Sequence, residues 1–139
     1  MENKILSSGL EDYIEAIYIA QLKGVKIKGA ELARKLGISR ASVSEAIAKL
    51  VSKKLITYKS YGVITLTGLG EKEAKEVYLK HNAIKTFFET VLDVEPELAG
   101  ENACKIEHII SKSVLDKMIK FTSYCSNHPK IIEDYKKEA

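Results

Sequence analysis

The sequence predicts a mainly α fold, an N-terminal winged helix-turn-helix followed by an all-helical second domain. Three observations carry the prediction. Apolar residues recur at helical spacing over residues 8–22, 29–36 and 40–53. Two β-rich runs then break that period between Leu55 and Leu66. From Gly68 to about residue 124 the helical period returns without further strand signals. The expected domains are residues 1–70 and 71–139.

In the first helix Leu10, Ile14, Ile17 and Tyr18 share a face, Ser7, Ser8 and Gly9 supply the start, and Gly24 the stop. The short second helix is 29–36. Gly37-Ile38-Ser39 follows: a glycine suited to a left-handed helix end, an apolar residue, and an N-cap serine. The third helix, 40–53, puts Val43, Ile47, Leu50 and Val51 on one face. Leu55–Tyr58 and Val63–Leu66 form a hairpin around Lys59-Ser60-Tyr61-Gly62. Thr67 caps a long helix, 68–92, whose apolar positions include Ala74, Val77, Tyr78, Ile84, Phe88 and Val91. Gly68 and Gly70 weaken its first turn. Glu95-Pro96 opens a helix to about 110. Ser111 caps a last one, 112–124, with Val114, Leu115, Met118 and Ile119 inward, before a charged tail.

Composition narrows the function. The chain has 139 residues, 45% of them hydrophobic and 29% charged, which is ordinary for a globular protein. No apolar run approaches the roughly 20 residues of a membrane span, and the first residues lack a secretory apolar core. Two cysteines and no signal suggest a reducing, cytoplasmic setting. The net charge of +3 is an average over unlike halves. Residues 1–66 hold 11 Lys/Arg against 6 Asp/Glu, and residues 67–139 hold 11 against 13. Residues 23–59 alone hold 10 bases against Glu31 and Glu45. A basic lobe of this kind suits a polyanion, and the acidic lobe another task.

Within the basic lobe, the helix-turn-helix places candidate DNA contacts at Ser39, Arg40, Ala41, Ser42, Ser44, Glu45, Lys49, Lys53 and Lys59. Small side chains let the backbone approach a groove. Ser42 can meet a base edge, and Glu45 can accept from a cytosine amino group. The lysines suit phosphates, which position a protein without reading sequence.

Cys104-x-x-Glu107-His108 stands on a predicted helix, where offsets of three and four bring the trio to one side. Thiolate, carboxylate and imidazole are a transition-metal ligand set. The same pattern also fits a buried cysteine beside a surface Glu–His pair. Asp12 and Glu15, three apart on the first helix, can share a cation or simply complement the helix dipole. His81 lies mid-helix among apolar neighbours. Cys125-x-x-His128 is read as incidental.

Leu10-Glu11-Asp12-Tyr13-Ile14-Glu15-Ala16-Ile17-Tyr18 resembles the opening helix of the diphtheria-toxin-repressor and manganese-transport-regulator family. So do Leu36–Ser44, Tyr61–Thr67, His81 and Ala103–His108, in the family's order. The resemblance implies a homodimeric, metal-activated repressor of metal-ion homeostasis genes that binds a double-stranded DNA operator. It further implies that the helical domain serves dimerisation and metal binding. Carried over position by position, it assigns Asp12, Glu15, His81, Cys104, Glu107 and His108 as metal ligands. The carboxylate at 12 resembles the manganese branch and the cysteine at 104 the iron branch. Lys85 and Gly100 stand where the iron branch would offer additional ligands, and Gly68 where relatives usually have proline. The chain ends before the SH3-like domain many members carry, so a short form is expected.

On this reading a divalent cation turns repulsion among carboxylates of both lobes into a tie, which restricts the spacing of two recognition helices. Half-sites about 34 Å apart need that spacing held. Oxygen ligands favour Mn²⁺; Cys104 with two histidines favours Fe²⁺, and Zn²⁺, Co²⁺ or Ni²⁺ in vitro. Val91, Leu92, Leu98, Val114 and Met118 are candidates for the dimer face. No membrane or small organic ligand is expected. Enzymes are disfavoured, since the chain lacks His-Glu-x-x-His and Gly-x-Ser-x-Gly motifs. The competing reading is a winged-helix regulator that does not sense metal.

Overall fold

The computed structural model describes residues 6–59 and 62–139. Ser60 and Tyr61 of the expected hairpin turn, and the N-terminal stretch read for a secretory signal, lie outside the described residues. The chain forms two compact units, Met1–Val77 and Tyr78–Ala139. Among the described residues no helix is long and apolar enough to cross a membrane.

The first unit opens with α1, Ser8–Leu22, where the Ser7 hydroxyl accepts from the Leu10 amide at 3.3 Å. Leu10, Ile14, Ile17 and Tyr18 are buried, as their spacing requires. Gly24, at φ +71°, lets the chain turn back after the helix. α2, Gly29–Leu36, ends in a Schellman motif: Ile38 N–H donates to Ala33 O at 3.1 Å and Gly37 sits at φ +65°. Ser39 then caps α3, Arg40–Ser52, accepting from the Ser42 amide at 3.1 Å. The expected helices and caps of this unit are present within a residue.

Two features differ from expectation. A two-residue strand β1, Ile27–Lys28, joins the hairpin of β2, Ile56–Tyr58, and β3, Val63–Leu66, in the antiparallel order β1-β3-β2. Ile27 pairs with Ile64, and Ile56 with Leu66. A strand this short has no periodicity to detect. Val51, expected inward, is 43% exposed. The buried stripe of α3 is Val43, Ala46, Ile47 and Leu50. Beyond it Lys54, at φ +61°, reverses the chain, and Leu55 is buried in turn.

α4, Gly68–Thr90, starts in the first unit and continues into the second. Thr67 secures its start. Its hydroxyl donates to Lys54 O at 2.7 Å and accepts from the Gly70 amide at 3.1 Å, while its own amide donates to Leu55 O at 3.0 Å. Gly70 lies hard against that carbonyl: a Cβ there would stand 1.9 Å from Leu55 O.

In the second unit Ile84 of α4, Ala103 of α5 (Pro96–Ile106) and Leu115 of α6 (Lys112–Asn127) meet in the core. Phe88, Ile106, Ile110 and Met118 pack around them. α5 is shorter than expected and α6 longer. The charged tail is a further helix, α7, Pro129–Glu138, with no buried residue. Proline at its first position suits a helix start, and Lys136 reaches Asp93 at 3.4 Å. Val114 and Ile119, expected inward, are 53% and 45% exposed. The core-facing stripe of α6 instead follows Leu115, Met118 and Cys125, and the flanking residues fall off it.

Candidate metal centre and nucleic-acid interface

The second unit gathers four of the residues singled out in the sequence. His81 projects from α4, Cys104 from the last turn of α5, and Glu107 and His108 from just beyond it. Glu107 is the C-cap of α5 rather than a member of it, but its αR backbone keeps it one turn beyond Cys104. His81 Nδ1 lies 2.8 Å from Glu107 Oε2 and 3.7 Å from Cys104 Sγ. His108 Nε2 lies 3.6 Å from Glu107 Oε1.

Burial inverts the bland reading of this motif. Cys104 is exposed, while Glu107 is 1% and His108 7% exposed. A carboxylate taken out of water costs several kcal/mol unless it is compensated. Here one oxygen is 2.8 Å from His81 Nδ1, within hydrogen-bond distance, and the other is 3.6 Å from His108 Nε2. The donor set suits a divalent transition metal: ions held at about 2.0–2.3 Å by N, O and S ligands space neighbouring donors roughly 3.0–3.7 Å apart. The 2.8, 3.6 and 3.7 Å separations of neighbouring donors are close to that range. Glu107 thus brings one imidazole to each of its oxygens, and the Cys104 thiol lies beside His81, so the donor types of a transition-metal site adjoin one another in this unit.

In the first unit Asp12 and Glu15 sit three residues apart on α1, Asp12 exposed and Glu15 buried. Glu11 is buried as well, which the sequence pattern did not signal because it falls between two apolar stripe positions.

The expected DNA-reading residues lie on or beside α3 and at the end of β2 in the first unit. Ser39, Arg40, Ala41, Ser42, Ser44, Glu45, Lys49, Lys53 and Lys59 are all exposed. Ser39 Oγ donates to Ser42 Oγ at 2.9 Å while accepting from its amide, so the cap also holds the Ser42 hydroxyl. Lys49 and Glu45 lie 3.6 Å apart on the open face, a separation worth little in water. Burial, and secondarily the Glu45 carboxylate, push the Tyr13 phenol above its usual range. Two shallow depressions open in this unit. One, of 440 Å³, is lined by Arg34, Gly37, Ile38 and Arg40. The other, of 230 Å³, lies between α3 and the sheet, with Lys28, Arg40, Ser44 and Tyr58 around it. Lys28 and Tyr58 were not singled out in the sequence, because only the pairing of β1 with β3 brings Lys28 to the second depression.

The dimer candidates divide by burial. Val91 is buried and Met118 packs on the unit's own core, whereas Leu92, Leu98 and Val114 are exposed.

Both halves of the chain match known families. Residues 5–64 match the family described as iron dependent repressor, N-terminal DNA binding domain. Residues 67–135 match iron dependent repressor, metal binding and dimerisation domain. An uncharacterized HTH-type transcriptional regulator of Methanocaldococcus jannaschii is 37% identical over 81% of this chain and 91% of its own length. The transcriptional regulator MntR of Salmonella typhimurium is 31% identical over 81% of this chain and 71% of its own. Among solved structures, the manganese regulator SloR aligns with a TM-score of 0.74 at 30% identity, covering 83% of this chain and 54% of that one. A manganese-dependent transcriptional repressor in complex with manganese aligns with a TM-score of 0.77 at 26% identity, covering 83% and 53%. The chain thus spans about half the length of these solved structures. It belongs to the iron-dependent repressor family, metal-dependent transcriptional regulators rather than enzymes, which bind DNA through the N-terminal domain and bind metal and dimerise through the C-terminal one.

Proposed function

We propose that this protein is a homodimeric repressor that binds a double-stranded DNA operator when Fe²⁺ or Mn²⁺ is held by Asp12, Glu15, His81, Cys104, Glu107 and His108. Residues 1–70 serve as the DNA reader and residues 71–139 as the metal-binding and dimerisation half. The observation that carries the reading is Glu107, a buried carboxylate with His81 Nδ1 at 2.8 Å and His108 Nε2 at 3.6 Å, beside an exposed thiol. The bound ion supplies a localised double positive charge. The 2.8 Å contact of His81 with Glu107 orients those two side chains before an ion arrives, with the His108 ring 3.6 Å from the other carboxylate oxygen. Asp12 and Glu15 are carboxylates three residues apart on α1, whose mutual repulsion a shared cation would relieve. Ser42 and Glu45 offer base-edge groups, and Arg40, Lys53 and Lys59 meet phosphates. Leu92, Leu98 and Val114 offer apolar surface to a second copy.

The test is DNA binding by apo-protein across a series of divalent ions. A duplex enriched from a random pool by the Mn²⁺-loaded protein serves as probe, at fixed salt because phosphate contacts are salt-dependent. Binding should require metal and be reversed by chelator. Equal binding with and without metal would overturn the sensing role and favour a metal-independent regulator.

A further inference from the structure

The metal cluster has a neighbour whose charge has the wrong sign for a ligand. His81 and Lys85 are one turn apart on α4, and Cys104 and Gly100 one turn apart on α5. His81 faces Cys104, with Nδ1 and Sγ 3.7 Å apart. One turn along, Lys85 faces Gly100: a Cβ at Gly100 would lie 3.8 Å from Lys85 Cε. The two helices thus present two successive rungs, a ligand rung and a lysine rung. Because Gly100 has no side chain, the Lys85 stem lies across the α5 backbone. Its ammonium is 3.8 Å from Glu89 Oε1, itself one turn further along α4. Both side chains are only about a third exposed, 37% and 33%.

The Lys85 backbone lies one turn, roughly 6 Å along the helix axis, from that of His81, and its ammonium is near Glu89, the next carboxylate on that face. Without that charge, His81, position 85 and Glu89 would form an i, i+4, i+8 row of ligand-bearing positions leading away from the cluster. We propose that Lys85 sets the metal capacity of this half: its ammonium, on a stem lying against Gly100, keeps a second divalent ion from binding beside His81 on this stretch of α4 and α5. Lys85 is a positioning and charge-setting residue, not a ligand. The inference rests on the metal-site reading above.

The experiment is a titration of full-length apo-protein with Co²⁺. Uptake is followed by thiolate-to-cobalt charge-transfer absorption and by metal analysis after desalting. Lys85→Gln removes the charge at similar size. It should tighten Co²⁺ binding roughly 3- to 10-fold at low salt, the change expected for one unit charge at such a distance near a surface. The gain should shrink at about 1 M salt, where the Debye length is about 3 Å. Lys85→Glu should take up one more Co²⁺ per chain than the unmodified protein, and adding Glu89→Gln should abolish the extra ion. Unchanged affinity and unchanged stoichiometry in correctly folded Lys85→Gln and Lys85→Glu, judged by circular dichroism, would overturn the proposal while leaving the ligand reading in place. No Co²⁺ uptake with a thiolate signature in the unmodified protein would overturn both.

Discussion

Replacing Gly70 with alanine tests the junction between the sheet and α4. In an open helix the change would stabilise by about 0.5–1 kcal/mol, because glycine has the larger entropy to lose. Here the new Cβ would stand 1.9 Å from Leu55 O and 2.9 Å from Leu55 C, both backbone atoms. No rotamer change relieves a clash of backbone with backbone, so the start of α4 must move by about an ångström or more. That movement overpacks the site, at a cost of about 1–3 kcal/mol. It also stretches the 3.0 Å bond from the Thr67 amide to Leu55 O, and with it the 2.7 Å bond from the Thr67 hydroxyl to Lys54 O. Each is worth about 0.5–1.5 kcal/mol net. The expected balance is a loss of roughly 2–3 kcal/mol. Gly68→Ala is the internal control, since nothing lies within 4 Å of a Cβ there; it should be neutral or slightly stabilising. Urea unfolding of metal-free protein, followed by far-UV circular dichroism, measures both without the added linkage of a bound ion. If Gly70→Ala proved as stable as Gly68→Ala, the close approach of α4 to Leu55 would be refuted.

Three further outcomes are expected. Asp12→Ala should leave the fold intact, because the side chain is exposed, yet remove metal-dependent DNA binding; a variant that still binds the selected duplex only when metal is added would sink the assignment of Asp12. Ser39→Ala removes the cap on the Ser42 amide and should cost about 1 kcal/mol in the same urea assay. The Tyr13 phenol is held above its ordinary 10.0 by burial and then by Glu45, so the unfolded chain ionises first. Stability should accordingly fall as pH rises above 10, and Tyr13→Phe should flatten that fall in alkaline unfolding curves.

The order of elements was legible from the chain alone because each boundary has a local cause. Ser7, Ser39 and Ser111 cap helices with their own hydroxyls, and Gly37 takes the left-handed conformation at the end of α2. Periodicity placed Ile14, Ile17, Leu50 and Ile84 inward for the same reason: one helical face must leave water. The candidate ligands of the helical half, Cys104, Glu107 and His108, stood out by residue type and by offsets of three and four, although the same pattern also fits a buried cysteine beside a surface Glu–His pair.

Tertiary structure decided what local rules cannot reach. It paired β1 with β3, because two residues become a strand only when a neighbour supplies their hydrogen-bond partners. It left Val51, Val114 and Ile119 outside, because the width of a buried stripe depends on what packs against it. It ended α5 at Ile106, buried Glu107 and His108, and turned Cys104 outward, the reverse of the ordinary preference of those residue types. And it laid Lys85 over Gly100, beside the cluster. Side-chain type and spacing thus name the chemistry available to this protein. Only the packing of separate helices determines which of those groups lose water, which keep it, and which charges must then be balanced.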